Sequence, residues 1–180
     1  VIAAEIKIAV MAWSMRWKPI VLLEESVCYD AYKGIIDLAC IKPNREFVLF
    51  EIKISVSDLK AELKKIQWKS NDYSTEEQLL QNRRPPNYFY FVIPRDIKDK
   101  AVPIIREHWK FAGIIEVWRY DPNYYYYTSL PQCTVIKRPK KLHRNPATDE
   151  TILQQRHWMT RRYLRALQRE ADHKNERKMR

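Results

Sequence analysis

Glycine is almost missing from this chain: its 180 residues include two, Gly34 and Gly113. A loop that cradles phosphates with backbone N–H groups needs several glycines in one short run. A nucleotide triphosphatase is therefore disfavoured. Cysteine is scarce as well. Cys28, Cys40 and Cys133 are odd in number and far apart, which suits neither a disulfide framework nor a zinc site. A reducing, cytoplasmic setting is the simple expectation. Long apolar runs are also lacking, so no membrane span is expected. The opening "VIAAEIKIAVMAW" is broken by Glu5 and Lys7 and has no small-residue cleavage site. It reads as a helix rather than a signal peptide.

The last quarter of the chain has few acids. Residues 137–180 hold fourteen lysines and arginines against five acids, which accounts for nine of the eleven net positive charges. Such a balance favours a polyanionic partner, most often nucleic acid. The remainder is nearly neutral and 46% of the chain is hydrophobic, enough for one domain with an appendage.

Periodicity and turn chemistry predict the elements. Residues 2–16 read as a helix ended before Pro19, and 20–27 as a strand or extended lead-in. "IIDLACI" (35–41) and "FVLFEIKI" (47–54) read as buried strands joined by the turn "KPNRE". Residues 57–69 read as a helix with Leu59, Leu63 and Ile66 on one face, capped by Ser55 or Ser57. Residues 70–86 are polar, with a short helix near 75–81. "NYFYFVIP" (87–94) is a strand, 98–112 a helix disturbed or begun late at Pro103, and 114–120 a strand. "YYYYTSL" and "CTVIKR" suggest short strands, and 147–178 a long helix. The order αβββα-βαβ implies an α/β fold, a mixed sheet flanked by helices. Residues 1–136 form the expected core, and 137–180 a basic arm and a C-terminal helix packing on it.

Two acids stand in this apolar hairpin. A turn centred on Asn44 puts Asp37 directly opposite Glu51, where Cβ atoms lie roughly 4.5–5.5 Å apart. Alternation puts Glu51, Lys53 and Ser55 on one face and Phe50, Ile52 and Ile54 on the other. Like charges so close are unfavourable unless something neutralises them. A divalent cation would do so, because Mg²⁺ takes one or two carboxylates plus waters and phosphate oxygens. The plainer alternative is that Lys53 neutralises one acid and the rest is exposed.

"IIDL", a hairpin turn and then "FEIK" resemble the core of the PD-(D/E)xK nuclease superfamily. "EIKISVSDLKAELKK", "PNYFYFVIP" and "AGIIEV" further resemble the MmcB-like DNA-repair family, whose run has the form E-[VI]-K-S-S-x-x-D-F-x-A-D. Ile54 replaces that run's first Ser, Leu59 replaces Phe, and 70–86 looks like an insertion. The resemblance implies a restriction-endonuclease-like core. Asp37 and Glu51, with the carbonyl of Ile52, would hold Mg²⁺ or Mn²⁺. Lys53 would orient or activate the attacking water, and Glu5 is the candidate for a further acid from the first helix. Ser55 would hydrogen-bond near the site.

For partners, Arg161, Arg162 and Arg165 form a cationic helix face suited to a phosphate backbone. The plainer reading is a solvated face with Trp158, Leu164 and Leu167 packed on the core. Lys137, Arg138, Lys140, Lys141 and Arg144 read as a mobile basic arm contacting DNA. "NYYYY" (123–127) reads as an alternating strand more readily than as a base-stacking surface. His143 is a candidate phosphate contact. The expected function is a metal-dependent DNA endonuclease in repair or in processing of DNA structures, with RNA as a substrate and a homodimer both left open. The alternatives are a non-catalytic binding module of the same fold and a sequence-specific restriction or mobile-element endonuclease.

Overall fold

The computed structural model describes residues 2–27, 35–63, 86–119 and 131–178. Helix α1 spans Ala3–Ser14 and tightens into a 3₁₀ turn at Met15–Trp17, where Lys18 takes a left-handed conformation ahead of Pro19. Strands β1 (Val21–Val27), β2 (Ile35–Ile41) and β3 (Phe47–Ile52) follow as an antiparallel meander. Helix α2 covers Val56–Glu62. Then come β4 (Tyr88–Pro94), α3 (Lys98–His108), β5 (Gly113–Trp118), β6 (Gln132–Lys137) and α4 (Asp149–Lys178). The insertion at 70–85, the tyrosine run at 123–127, Gly34 and Cys28 lie outside the described residues.

Among the described residues the six strands form one mixed sheet in chain order. The β3–β4 and β4–β5 pairs are parallel, and the others antiparallel. The hairpin register is the expected one: Leu38 faces Phe50 and Ile41 faces Phe47, so both strands count symmetrically about Asn44. The reason is local. Arg45 takes a positive φ and its N–H bonds to the carbonyl of Lys42, which fixes the turn and with it every pair beyond.

Alternation divides the core between the two faces. Ala39, Ile41, Leu49, Phe91, Ile93 and Ile114 meet Leu59 of α2, Ala101 and Ile105 of α3, and Ile152 of α4. On the other face Leu38, Cys40, Phe50 and Val92 meet Ile6, Ala9 and Val10 of α1. A fully buried aliphatic side chain contributes roughly 1.5–3 kcal/mol, so both layers help fix the sheet.

Several expectations change. Helix α3 runs unbroken through Pro103. The ring removes one hydrogen bond near the helix start, and the burial of Ala101 and Ile105 holds the turns on either side. The arm after β6 is strapped down rather than mobile. Asn87, itself buried, accepts from the Phe47 N–H at 2.7 Å and donates to the carbonyls of His143 at 3.0 Å and Asn145 at 2.9 Å. Backbone bonds from Lys140 to Phe111, Leu142 to Asn87 and Ala147 to Arg45 tie the same segment down. The anticipated boundary between 136 and 137 falls inside β6, whose last residue is Lys137. Helix α4 packs through Ile152 and Gln155, but Leu164 and Leu167 are exposed at 58% and 43%. The reading that packs those two leucines on the core is therefore corrected. No described helix is long and apolar enough to cross a membrane.

Candidate active site

Asp37 is the third residue of β2 and Glu51 stands at the close of β3, so antiparallel pairing brings them to the same end of the sheet. Both occupy the face that carries α2 and α3, by alternation from Ala39 and Leu49. The Asp37 carboxylate does not simply oppose Glu51. Its Oδ2 accepts the Ile52 N–H at 2.8 Å, which fixes the side chain across the strand end.

Lys53 is the hub of this cluster. The strand has ended at Ile52, but the Lys53 N–H still bonds to the Val92 carbonyl. The Lys53 side chain turns inward and is 4% exposed. Its ammonium lies 2.7 Å from Glu51 Oε1, 2.7 Å from Glu62 Oε2 and 3.7 Å from Asp58 Oδ1. Two of its three donors are thus committed to carboxylates.

Glu62 escaped the sequence reading. It is 1% exposed, in the last turn of α2, beside buried Leu59. A signal was present: Asp58 and Glu62 fall on the two later acids of the run E-[VI]-K-S-S-x-x-D-F-x-A-D. They are four residues apart, so one helix face turns both toward Lys53. Ser55, the residue before α2, works as its cap, with Oγ accepting the Asp58 N–H at 3.0 Å. Ser55 therefore supports the site by holding α2 rather than by extending the Glu51 strand face.

Four carboxylates gather around one lysine, and the electrostatics follow. Burial pushes Glu51 up to about 7; Lys53 opposes that shift, while Asp37 and Glu62 add to it. Burial also raises Asp37 above the usual carboxylate value, against the Ile52 N–H and the charges of Lys53 and Lys7. Lys53 is held above its ordinary value by Glu51 and Glu62, although burial acts the other way. Among the described residues no three His, Cys, Asp or Glu side chains come together as a ready ligand set for one metal ion. The donors present are two hard carboxylate oxygen groups beside a backbone strand end. That set suits a cation that completes its shell with water and phosphate oxygens.

The remaining candidates lie elsewhere. Glu5 accepts the Ile2 N–H at 3.2 Å and pairs with Arg119, so its carboxylate is engaged at the start of α1. Lys137 donates to the carbonyls of Lys110 at 2.8 Å and Trp109 at 3.5 Å, just beyond α3, and so caps that helix. Lys141 pairs with Glu46 at 2.6 Å. His143 Nδ1 accepts the Asn145 N–H at 3.1 Å, a structural bond within the strap. Lys141 and Asn87, with the strap between them, sit near the β2–β3 turn, at the opposite end of the sheet from Asp37. Arg161 and Arg165 are exposed on α4, and Arg162 is half-buried.

One solved structure shares this architecture, described as "SPO1766 protein of unknown function from Silicibacter pomeroyi". The match has a TM-score of 0.52 at 15% identity and covers 91% of this chain and 87% of that one. It bears on the fold alone. No family model and no curated protein matches the chain.

Proposed function

We propose that the chain is a metal-dependent nuclease with a restriction-endonuclease-like core, acting on DNA. The observation that carries this reading is the convergence of Asp37 and Glu51 at one end of the sheet, both raised by burial, with Lys53 beside them. A purely structural hairpin gains nothing from such a pair. Asp37 and Glu51, with the carbonyl of Ile52, would hold Mg²⁺ or Mn²⁺. The bound ion would lower the pKa of a water and neutralise phosphate oxygens. Lys53 orients Glu51 and opposes the rise that burial causes, and its remaining donor is suited to a phosphate oxygen or the attacking water. Glu62 holds that ammonium from the other side. Water attack on phosphorus with departure of the 3′ oxygen leaves a 5′-phosphate. A role in DNA repair follows from the family resemblance.

The test is cleavage of plasmid and oligonucleotide DNA with Mg²⁺ or Mn²⁺ by the wild type and by Asp37→Ala, Glu51→Ala and Lys53→Ala. Metal-dependent cutting that survives in all three variants would overturn the assignment. One observation favours a second reading, a non-catalytic binding module. Lys53 is nearly inaccessible and bonded to two carboxylates, as a purely structural lysine would be. Under that reading DNA affinity falls steeply with salt and Mn²⁺ gives no thermal shift that Asp37→Asn removes.

A further inference from the structure

On the opposite sheet face from the acidic cluster lies a second constellation. Trp13 and Trp17 pack edge to face with centroids 4.8 Å apart, and Trp17 stacks on Phe50. Tyr88 opens β4 on the same α1 face, and all three rings are partly buried against that core. Each ring carries a cation. The Arg16 guanidinium lies 3.7 Å from the Trp13 centroid. The Lys42 ammonium sits between Trp17 at 4.8 Å and Tyr88 at 4.6 Å, with Lys141 5.8 Å from Tyr88.

Further positive charge surrounds these rings. Arg138 is within electrostatic reach of Tyr90, as is Arg16, and Arg144 is within reach of Lys141. The carboxylate in this group is Glu46, which accepts from Lys42, Lys141 and the Tyr88 hydroxyl. It pins both lysines over the rings and leaves the patch strongly cationic.

We propose that this patch binds single-stranded nucleic acid, with bases stacking on the tryptophan and tyrosine rings and the surrounding cations meeting phosphates. Partly exposed rings interleaved with cations match what an unpaired strand offers, a π-face and a charge at every nucleotide. A duplex hides its base faces and would use the charges alone. The ring-bound Arg16 is poised for the exchange: as a base takes the Trp13 ring, the guanidinium moves to the adjacent phosphate. The patch lies on the other sheet face from Glu51: Tyr88 pairs with Val48, and Trp13 and Trp17 pack on Phe50, whose side chain points away from that of its neighbour Glu51. Binding here therefore requires neither a metal nor cleavage.

The experiment uses the full chain in EDTA. Fluorescence anisotropy compares a labelled oligothymidylate, an abasic oligomer of equal length and a duplex of equal length. Oligothymidylate should bind about ten-fold or more tighter than the abasic strand. Tyr88→Leu should erase most of that preference, while Arg16→Ser and Lys141→Ser should each flatten the salt dependence by about 0.7 per lost phosphate contact. Photocrosslinking of an iodouridine-substituted strand to wild type provides a second readout independent of how well ring variants fold, with adducts expected at Trp13, Trp17 or Tyr88. Equal affinity for abasic and thymidylate strands, tighter binding of the duplex, or adducts confined to α4 would each overturn the proposal. Failure to cut DNA with any metal would count against the nuclease reading and leave this measurement untouched.

Discussion

Glu46 and Glu51 flank the same strand and meet opposite fates. Glu46 is drawn down to about 2 by Lys141, Asn44 and Lys42 despite its burial. Glu51 is pushed up to about 7, because burial and the neighbouring Asp37 and Glu62 outweigh Lys53. One end of the sheet has cations to spare and stabilises its carboxylate as an anion. The other end has more carboxylates than cations and holds one of them near neutrality. Perturbation of the second kind, in which burial and like charges outweigh the neighbouring cation, is the more informative about function. A charge-balanced case nearby supports the distinction. Glu116 on β5 is more deeply buried than either, but Arg95 at 2.7 Å and Lys98 at 3.5 Å satisfy it.

The largest expected contrast between the two ends is catalytic. Asp37→Ala and Glu51→Ala should each lower the rate of Mg²⁺-dependent DNA cleavage by about a hundred- to a thousand-fold, measured in single-turnover assays. Retention of the wild-type rate would mean that the acid-rich end is structural.

Stability gives the next contrast. Lys53→Met leaves Glu51 and Glu62 without their shared cation and should cost about 3–5 kcal/mol in urea denaturation. Lys141→Met, at the exposed cationic end, should barely move the denaturation midpoint. If the two variants behave alike, Lys53 is not the organising charge of its end. Added Mn²⁺ should restore part of the lost stability in Lys53→Met, because a cation between the carboxylates does the same electrostatic work.

A smaller effect tests how the cationic end is assembled. Asn87→Ala removes one acceptor and two donations, and should cost about 1–3 kcal/mol. The change should also expose 138–147 to proteases, which would report that the strap has lifted. Unchanged protease resistance would show that the backbone bonds of Lys140, Leu142 and Ala147 hold it alone.

The strap also shows where sequence reading stopped. The hairpin, its register through Asn44 and the convergence of Asp37 with Glu51 were legible, because turn chemistry and two-residue alternation are local. The course of 138–147 was not, because Asn87 sets it from more than fifty residues away. "KRPKKLHRN" carries no local sign of that anchor and reads as a free basic tail. Glu62 was hidden for a related reason. Its charge argued for exposure, and only the inward turn of Lys53 makes burial tolerable. Pro103 misled in the opposite direction, since tertiary packing outweighed one missing hydrogen bond.

The pH dependence of stability separates the two ends by sign. Glu51 titrates near 7 in the fold against an ordinary value of 4.5, so between those pH values the folded chain binds more protons than the unfolded one. Stability contributed by protonated Glu51 is therefore lost as pH rises from about 4.5 through 7. Glu46 is depressed from 4.5 to about 2. Its contribution is present above 4.5 and is lost as pH falls toward 2. A plot of unfolding free energy against pH should thus decline on both sides of about 4.5. Glu51→Gln should flatten the limb above that pH, and Glu46→Gln the limb below it. Mn²⁺ should also flatten the upper limb in the wild type, because an ion held by Asp37 and Glu51 favours the ionised form and lowers its folded pKa. An upper limb that responds to Glu51→Gln but not to Mn²⁺ would leave the buried acid pair intact as an observation and remove the cation from its explanation.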